Sequence, residues 1–291
     1  TFTLDTSIAA PSIGLDADTG ASATDGITKT GTYTVSGTES GAVVEYSTDG
    51  VTWTTTAPTA VEGANTIQVR QTDVAGNVSA PATLTFTLDT TASLTVSLAD
   101  VNATNAAAAV LTGTTSGIEA GRTVTLVVSD GDPATADVTV TATLGADGSY
   151  STTADVSALS DGTLTVTASV TDAAGNAASA TDTAALETTI ASPSIRLDAD
   201  TGASATDSIT KIGTYTVSGT EAGAVVEYST DGVTWSTSAP TAVEGANTIQ
   251  VRQTDVAGNV SAPATLTFTL DTSIAAPSIG LDADTGASAT D

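Results

Sequence analysis

The side chains able to do chemistry in this 291-residue sequence are almost all oxygen donors. There are 33 acidic residues against six basic ones, with no histidine, cysteine or methionine. The acids gather in short loops. Asp16, Asp18 and Asp25 share one stretch, and Asp198, Asp200 and Asp207 repeat it; Asp100, Asn102 and Asn105 stand in another. Asp73, Asp172 with Asn176, and Asp255 with Asn259 lie in T-D-x-A-G-N segments, while Asp5, Asp89, Glu187 and Asp271 each follow a leucine closing an alternating run. Oxygen ligands without nitrogen or sulfur suit a hard cation, which points to Ca²⁺. The competing reading is that aspartate favours turns through its own backbone hydrogen bonds. An EF-hand is excluded, because the twelfth position counted from Asp16 is Ile27 rather than a ligand glutamate.

The missing residue types bound the function. Without histidine the usual general base near neutral pH is absent, and without cysteine so are disulfides, thiol nucleophiles and thiolate metal sites. No catalytic set can be assembled, so the chain is not expected to be an enzyme. A net charge of −27 repels nucleic acid and anionic membranes, and no apolar run is long enough to span a bilayer. No signal peptide is visible, since Thr1 opens in the middle of an alternating run.

What positions the acids is a repeat. Residues 6–89 return as 188–271 with 76 of 84 positions identical, and residues 1–25 return as 267–291. Self-similarity at a fixed spacing marks a tandem array. The expected organisation is the end of one repeat at 1–5, a type-A repeat at 6–89, a type-B repeat at 90–187, a second type-A repeat at 188–271 and the start of another at 272–291. The chain reads as a window on a longer array. Each repeat is built from short period-2 runs, such as Thr83-Leu84-Thr85-Phe86-Thr87-Leu88 and Thr163-Leu164-Thr165-Val166-Thr167-Ala168, separated by Asp-Gly turns at 49–50, 130–131, 147–148, 161–162 and 231–232. Such runs predict half-buried strands, and several per ninety residues predict an all-β array of antiparallel β-sandwich domains. Helical periodicity is confined to Ala106–Ala109. Trp53 and Trp235 are expected to cap their cores, with Arg70 and Arg252 on a solvent face beside acids.

Two motifs recur in order. The T-D-x-A-G-N segment appears at 72–77, 171–176 and 254–259, and a G-x-E-x-G turn at 37–41, 117–121 and 219–223. Together they resemble the bacterial immunoglobulin-like tandem repeats of giant calcium-dependent, type I-secreted surface adhesins of the biofilm type. The resemblance implies Ig-like sandwiches strung between a cell-envelope anchor and a distal binding region, with Ca²⁺ stiffening the domain junctions. It also implies an extracellular place on a bacterial cell surface, neighbouring repeats of the same chain as partners, and no membrane insertion. The glycine-rich nonapeptides that often accompany type I export are not in this sequence.

On an Ig-like frame the first loop and the penultimate loop lie at opposite poles, so acids from adjacent repeats meet. The first junction would join Asp16, Asp18, Asp25 and Asp89 with Asp172 and Asn176. The second would join Asp100, Asn102, Asn105 and Glu187 with Asp255 and Asn259. The third would use Asp198, Asp200, Asp207 and Asp271, and Asp5 with Asp73 would complete a site with a preceding repeat. The function expected is that of a non-catalytic extender segment. The alternatives are a self-assembling filament or sheath subunit, or a carbohydrate-binding adhesin module.

Overall fold

The computed structural model describes residues 3–280 and 282. The expected beginnings and ends of flanking repeats at 1–5 and 272–291 therefore lie partly outside the described residues. The chain forms two compact units, residues 1–186 and 187–291. The first holds repeats one and two, and the second holds repeat three.

Repeat one has six strands: β1 (Ser12–Leu15), β2 (Ile27–Thr28), β3 (Tyr33–Ser36), β4 (Val43–Ser47), β5 (Gly63–Thr72) and β6 (Ala82–Leu88). β1 pairs with β3, and the other sheet runs β2-β6-β5-β4. Alternation in β5 turns Ile67, Val69 and Gln71 inward and leaves Thr66, Gln68 and Arg70 on the outer face. Ile67, Phe86 and Leu88 form the fully buried core, with Ile13, Leu15, Tyr33, Tyr46, Ala60 and Leu84 packed against it. The sandwich is antiparallel except at one place. β2 runs parallel to β6, Ile27 opposite Thr87 and Thr28 opposite Leu88. This pairing covers the edge of β6 and returns the first loop to the strand that ends in Asp89, a detail that alternation alone does not specify.

Repeat two contains β7 (Ser93–Leu94), β8 (Ser97–Leu98), β9 (Val101–Asn102), a 3₁₀ turn (Ala106–Ala108), β10 (Ala109–Ser116), β11 (Thr123–Ser129), β12 (Val138–Thr143), β13 (Ser149–Ala154), β14 (Gly162–Thr171) and β15 (Ala177–Glu187). One sheet runs β13-β10-β7, with β8 also on β10, and the other runs β12-β11-β14-β15-β9. Leu164, Val166, Ala168 and Val170 point into a core shared with Leu111, Val124, Leu126 and Val128, while the threonines between them face out. Their β-branched shape fits a pleated, half-buried surface. The alanine patch with helical character forms the 3₁₀ turn.

Repeat three, in the second unit, repeats the plan of repeat one. Its strands are β16 (Ser194–Leu197), β17 (Ile209–Thr210), β18 (Tyr215–Ser218), β19 (Val225–Ser229), β20 (Gly245–Thr254) and β21 (Ala264–Leu270).

The tryptophans depart from expectation. Arg70 lies 4.1 Å above the Trp53 ring and donates through Nε to Glu45 at 2.9 Å; Arg252, Trp235 and Glu227 repeat the cluster. Because Arg70 alternates with inward Val69 and Gln71, the indole is stacked on the outer face of the sheet instead of capping the core. The cation–π contact and the carboxylate together hold it there. The arginines do sit beside acids, as their alternation implies.

Candidate functional site

The T-D-x-A-G-N loop is a closed hydrogen-bonded turn. In repeat two Asp172 accepts the Asn176 backbone N–H on Oδ1 and the Asn176 Nδ2 on Oδ2, both at 2.7 Å. Repeat one does the same with Asp73 and Asn77, at 2.8 and 2.7 Å, and repeat three with Asp255 and Asn259, at 2.7 and 2.8 Å. Those bonds, that of the Asn77 side chain first, pull the Asp73 carboxyl below its ordinary range. Each asparagine then spends a second donor on the strand-ending acid that precedes its repeat, through that acid's backbone carbonyl. Asn77 reaches Asp5 at 3.2 Å, Asn176 reaches Asp89 at 2.9 Å, and Asn259 reaches Glu187 at 2.6 Å. The loop and the linker acid are thus joined in all three repeats, but the linker carboxylate is not the atom used.

Between repeats one and two this arrangement becomes a junction. Thr19 donates through Oγ1 to the Ala174 carbonyl at 2.7 Å, and Lys29 donates through Nζ to the Gly175 carbonyl at 2.9 Å. Asp89 is positioned by its own N–H, which donates to the Thr28 carbonyl at 2.9 Å. Its carboxyl is pushed above the ordinary range by partial burial first, with Asp172, Glu62 and Glu119 adding repulsion against a lowering bond from the Thr91 N–H.

The other acids of the first junction are turned into their own repeat. Asp16 accepts the Thr34 hydroxyl at 2.6 Å, Asp25 accepts the Ile27 N–H at 3.0 Å, and Asp18 accepts the Gly26 N–H on Oδ2 at 3.0 Å. The remaining Asp18 oxygen, Oδ1, is buried with no hydrogen-bond partner, as is Oδ1 of Asp200 in repeat three. Asp200 accepts the Ser208 N–H, Asp198 the Thr216 hydroxyl, Asp207 the Ile209 N–H and Asp271 the Ser273 N–H. Asp100 accepts the Ala185 N–H, and Asn102 and Asn105 bond each other across a tight turn. Asp100, Asn102 and Asn105 belong to the first compact unit, whereas Glu187, Asp255 and Asn259 belong to the second.

These placements bear on a cation. Among the described residues no three carboxylates gather closely enough to hold a metal ion. Among those residues, the one feature in each type-A repeat open to a cation is the unpaired buried Oδ1 of Asp18 or Asp200, since an acceptor buried without a donor leaves a cost that a cation can offset. Asp16, Asp25 and Asp172 already spend oxygens on local donors. Sequence reading passed over Asn77, although its two equivalents were selected. It also passed over Thr19, Gly20 and Lys29, whose ordinary residue types carry no signal until the neighbouring loop is on them.

Comparison with known proteins agrees with this architecture. The model of the family described as bacterial Ig-like domain matches residues 5–90 and 187–272, more than half of the chain. The chain belongs to the bacterial Ig-like domain family. No curated protein matches it. Among solved structures it is similar to a tetra-tandem repeat in the extending region of a large adhesion protein, at 22% identity over 91% of this chain and 74% of that one, with a TM-score of 0.36. It is also similar to a part of a 1.5-MDa bacterial ice-binding adhesin, at 18% identity over 90% and 97% of the two chains, with a TM-score of 0.40. A bacterial immunoglobulin-like domain from the M. primoryensis ice-binding adhesin is 28% identical over 33% of this chain and 96% of its own, with a TM-score of 0.24. At such TM-scores these likenesses carry no weight for function. Among the described residues no helix is long and apolar enough to cross a membrane.

Proposed function

We propose that this bacterial Ig-like array is a non-catalytic extender segment of a large cell-surface adhesin, working outside the cell to hold a distal binding region away from its anchor. One observation carries the reading: the penultimate loop of repeat two is seated on repeat one by direct hydrogen bonds. A spacer needs neighbours that hold each other, and a short linker alone restricts without fixing. The near-identity of repeats one and three supports the same reading, since a duplicated surface suits length better than a single specific grip. The lack of histidine and cysteine is consistent with a structural role.

We further propose that Ca²⁺ binds at Asp18 and its copy Asp200, where one carboxylate oxygen has no donor, with an affinity on the order of 10⁻⁴–10⁻³ M as in extracellular modules. At the first junction the ion would also lessen the repulsion among Asp89, Asp172, Glu62 and Glu119. Small-angle scattering of the 291-residue chain in millimolar calcium and in excess chelator tests both parts. A rod of about 120 Å, from three sandwiches of strands rising about 3.3 Å per residue plus loops, supports the extender. A collapsed or concentration-dependent profile would favour a self-assembling subunit instead. Shortening in chelator supports the calcium part, and a profile indifferent to calcium removes it while leaving the extender.

A further inference from the structure

Repeats one and two differ by one strand at the same sheet edge. Their G-x-E-x-G turns align, so β3 corresponds to β10 and Tyr33 to Gly113. In repeat two the outer edge of β10 is filled by the six residues of β13, from Ala154 opposite Ala109 to Ser149 opposite Thr114. In repeat one β3 pairs only with β1. Residues 48–62, which stand where β12 and β13 would, contribute only an isolated bridge between Thr54 and Tyr46. The phase of the β1–β3 pairing shows which groups are left open. The Asp16 N–H donates to the Thr32 carbonyl at 3.1 Å, so Thr32, Thr34 and Ser36 turn their backbone groups to β1. Those of Tyr33 and Val35 point the other way. The residue of repeat two equivalent to Val35 is Thr115, and its N–H donates to the Gly148 carbonyl at 2.8 Å, on the β13 side. Among the described residues no strand takes this place beside β3. Repeat three is built alike: β18 pairs only with β16, which leaves the backbone groups of Tyr215 and Val217 on an open edge.

We infer that the outer edge of β3, and of β18 in repeat three, is a docking surface for an extended basic segment of another protein, which joins the sheet as the antiparallel strand that type-A repeats lack. An unpaired strand edge accepts an added strand through main-chain hydrogen bonds, and alternate side chains of that strand set specificity. The proline or charged side chain that commonly blunts an edge is absent from Tyr33-Thr34-Val35-Ser36. A groove of about 440 Å³ runs beside it, lined by Tyr33, Val35, Tyr46 and residues 57–60. That last segment is unsuited to pairing with β3. Pro58 has no N–H to donate, and its carbonyl already accepts the Tyr33 hydroxyl at 2.7 Å.

Charge and packing define the occupant. Asp16 is exposed at the groove, and among the described residues no basic side chain lines it. A second copy of this chain would bring another net charge of −27 against the first, whereas a basic segment is attracted. Inside the sandwich the two repeat types place their aromatic residue on opposite strands. In repeat two the Tyr150 ring of β13 lies over Gly113 of β10 and leaves no room for a Cβ there. In repeat one the tyrosine is on the other member of the pair, Tyr33 of β3, which packs against the core. The added strand must therefore place a small residue opposite Tyr33, because a large one would compete for space the tyrosine already fills.

Residue-resolved amide exchange by NMR on the 291-residue chain, with the peptide Lys-Lys-Thr-Thr-Ala-Thr-Val-Lys as probe, tests this. In the free chain the Tyr33, Val35, Tyr215 and Val217 amides should exchange fast, and those of Thr34 and Thr216, already bonded to the neighbouring strand, slowly. Saturating peptide should slow the first four by about tenfold or more and leave the other two unchanged. N-methylation of the peptide alanine, whose N–H faces β3, should weaken binding by about tenfold. N-methylation of the threonine after it, whose N–H faces solvent, should not. Tryptophan in place of that alanine, or glutamate in place of the lysines, should weaken binding by about tenfold or more. Slow exchange of the four amides in the free chain, no slowing in millimolar peptide, or equal affinities of the two N-methylated peptides would overturn the inference. So would equal binding of the glutamate peptide. Protection that grows with protein concentration in the absence of peptide would make the occupant a second copy and overturn it as well.

Discussion

Repeats one and two share a loop, a turn and a sandwich, yet they are held together differently. Among the described residues, the contiguous buried apolar cluster has twenty side chains in repeat two and three in repeat one. Repeat one offsets the thin core with hydrogen bonds. Gln71, nearly inaccessible, accepts the Glu39 N–H and donates to the carbonyls of Ala9 and Gly37, tying the G-x-E-x-G turn to the start of the repeat. In repeat two the same place before T-D is taken by Val170, and Glu119 of the turn bonds the loop directly. Both repeats also anchor a tyrosine by its hydroxyl, Tyr33 to the Pro58 carbonyl and Tyr150 to the Thr95 carbonyl. One fold can thus be stabilised mainly by apolar packing or largely by satisfied buried polar groups, and the two routes should fail differently.

The largest expected effect is in the apolar repeat. Leu126→Ala removes a fully buried side chain and should cost about 4 kcal/mol in repeat two alone, read as faster exchange of β11 and β14 with β5 and β6 unchanged. Gln71→Val gives repeat one the residue of repeat two at this place, but it strands an N–H and two carbonyls. It should cost about 2–3 kcal/mol despite adding apolar surface. A neutral result would mean that the two routes are interchangeable residue by residue. Smaller effects separate repeats one and three. Ser208 holds φ +58° where repeat one has Gly26 at +72°. Ser208→Gly should therefore stabilise repeat three by about 1 kcal/mol, measured by exchange of β20 and β21. Arg70→Ala should cost about 0.5–1 kcal/mol and alter Trp53 emission, seen cleanly in a Trp235→Phe background.

Acid provides the smallest and most diagnostic contrast. The Ser160 and Asp132 N–H groups, with the Thr135 hydroxyl, hold the Asp130 carboxyl down at about 2. A depressed carboxylate contributes stability that is present above the unfolded value, about 3.9, and is lost as pH falls through its folded value. Repeat two should lose this contribution between about pH 4 and 2, and Asp130→Asn should flatten that slope. Asp89 works in the opposite sense. Its carboxyl is raised in the fold, so stability falls as pH rises from the unfolded value through the folded one. Asp89→Asn should therefore tighten the first junction near neutral pH, most visibly at low salt, where exchange at 172–176 would slow further.

The sequence alone determined the strand content, the turn positions and the family, because these follow from local periodicity and repetition that each segment carries within itself. Thr163 through Val170 alternate whatever lies nearby, and their inward set is the observed core. It also pointed to the acidic loops and the linker acids as candidate meeting places of neighbouring repeats. Only the tertiary structure decided which atoms act there. Asp89 uses its carbonyl in place of its carboxylate, Asp18 keeps one oxygen idle while Asp16 and Asp25 turn inward, and Trp53 lies outside on Arg70. Thr19, Gly20 and Lys29 acquire meaning only from a loop 146 to 155 residues later. Side-chain direction, close backbone approach and a partner's surface are long-range consequences of packing, and no local pattern of residue types encodes them.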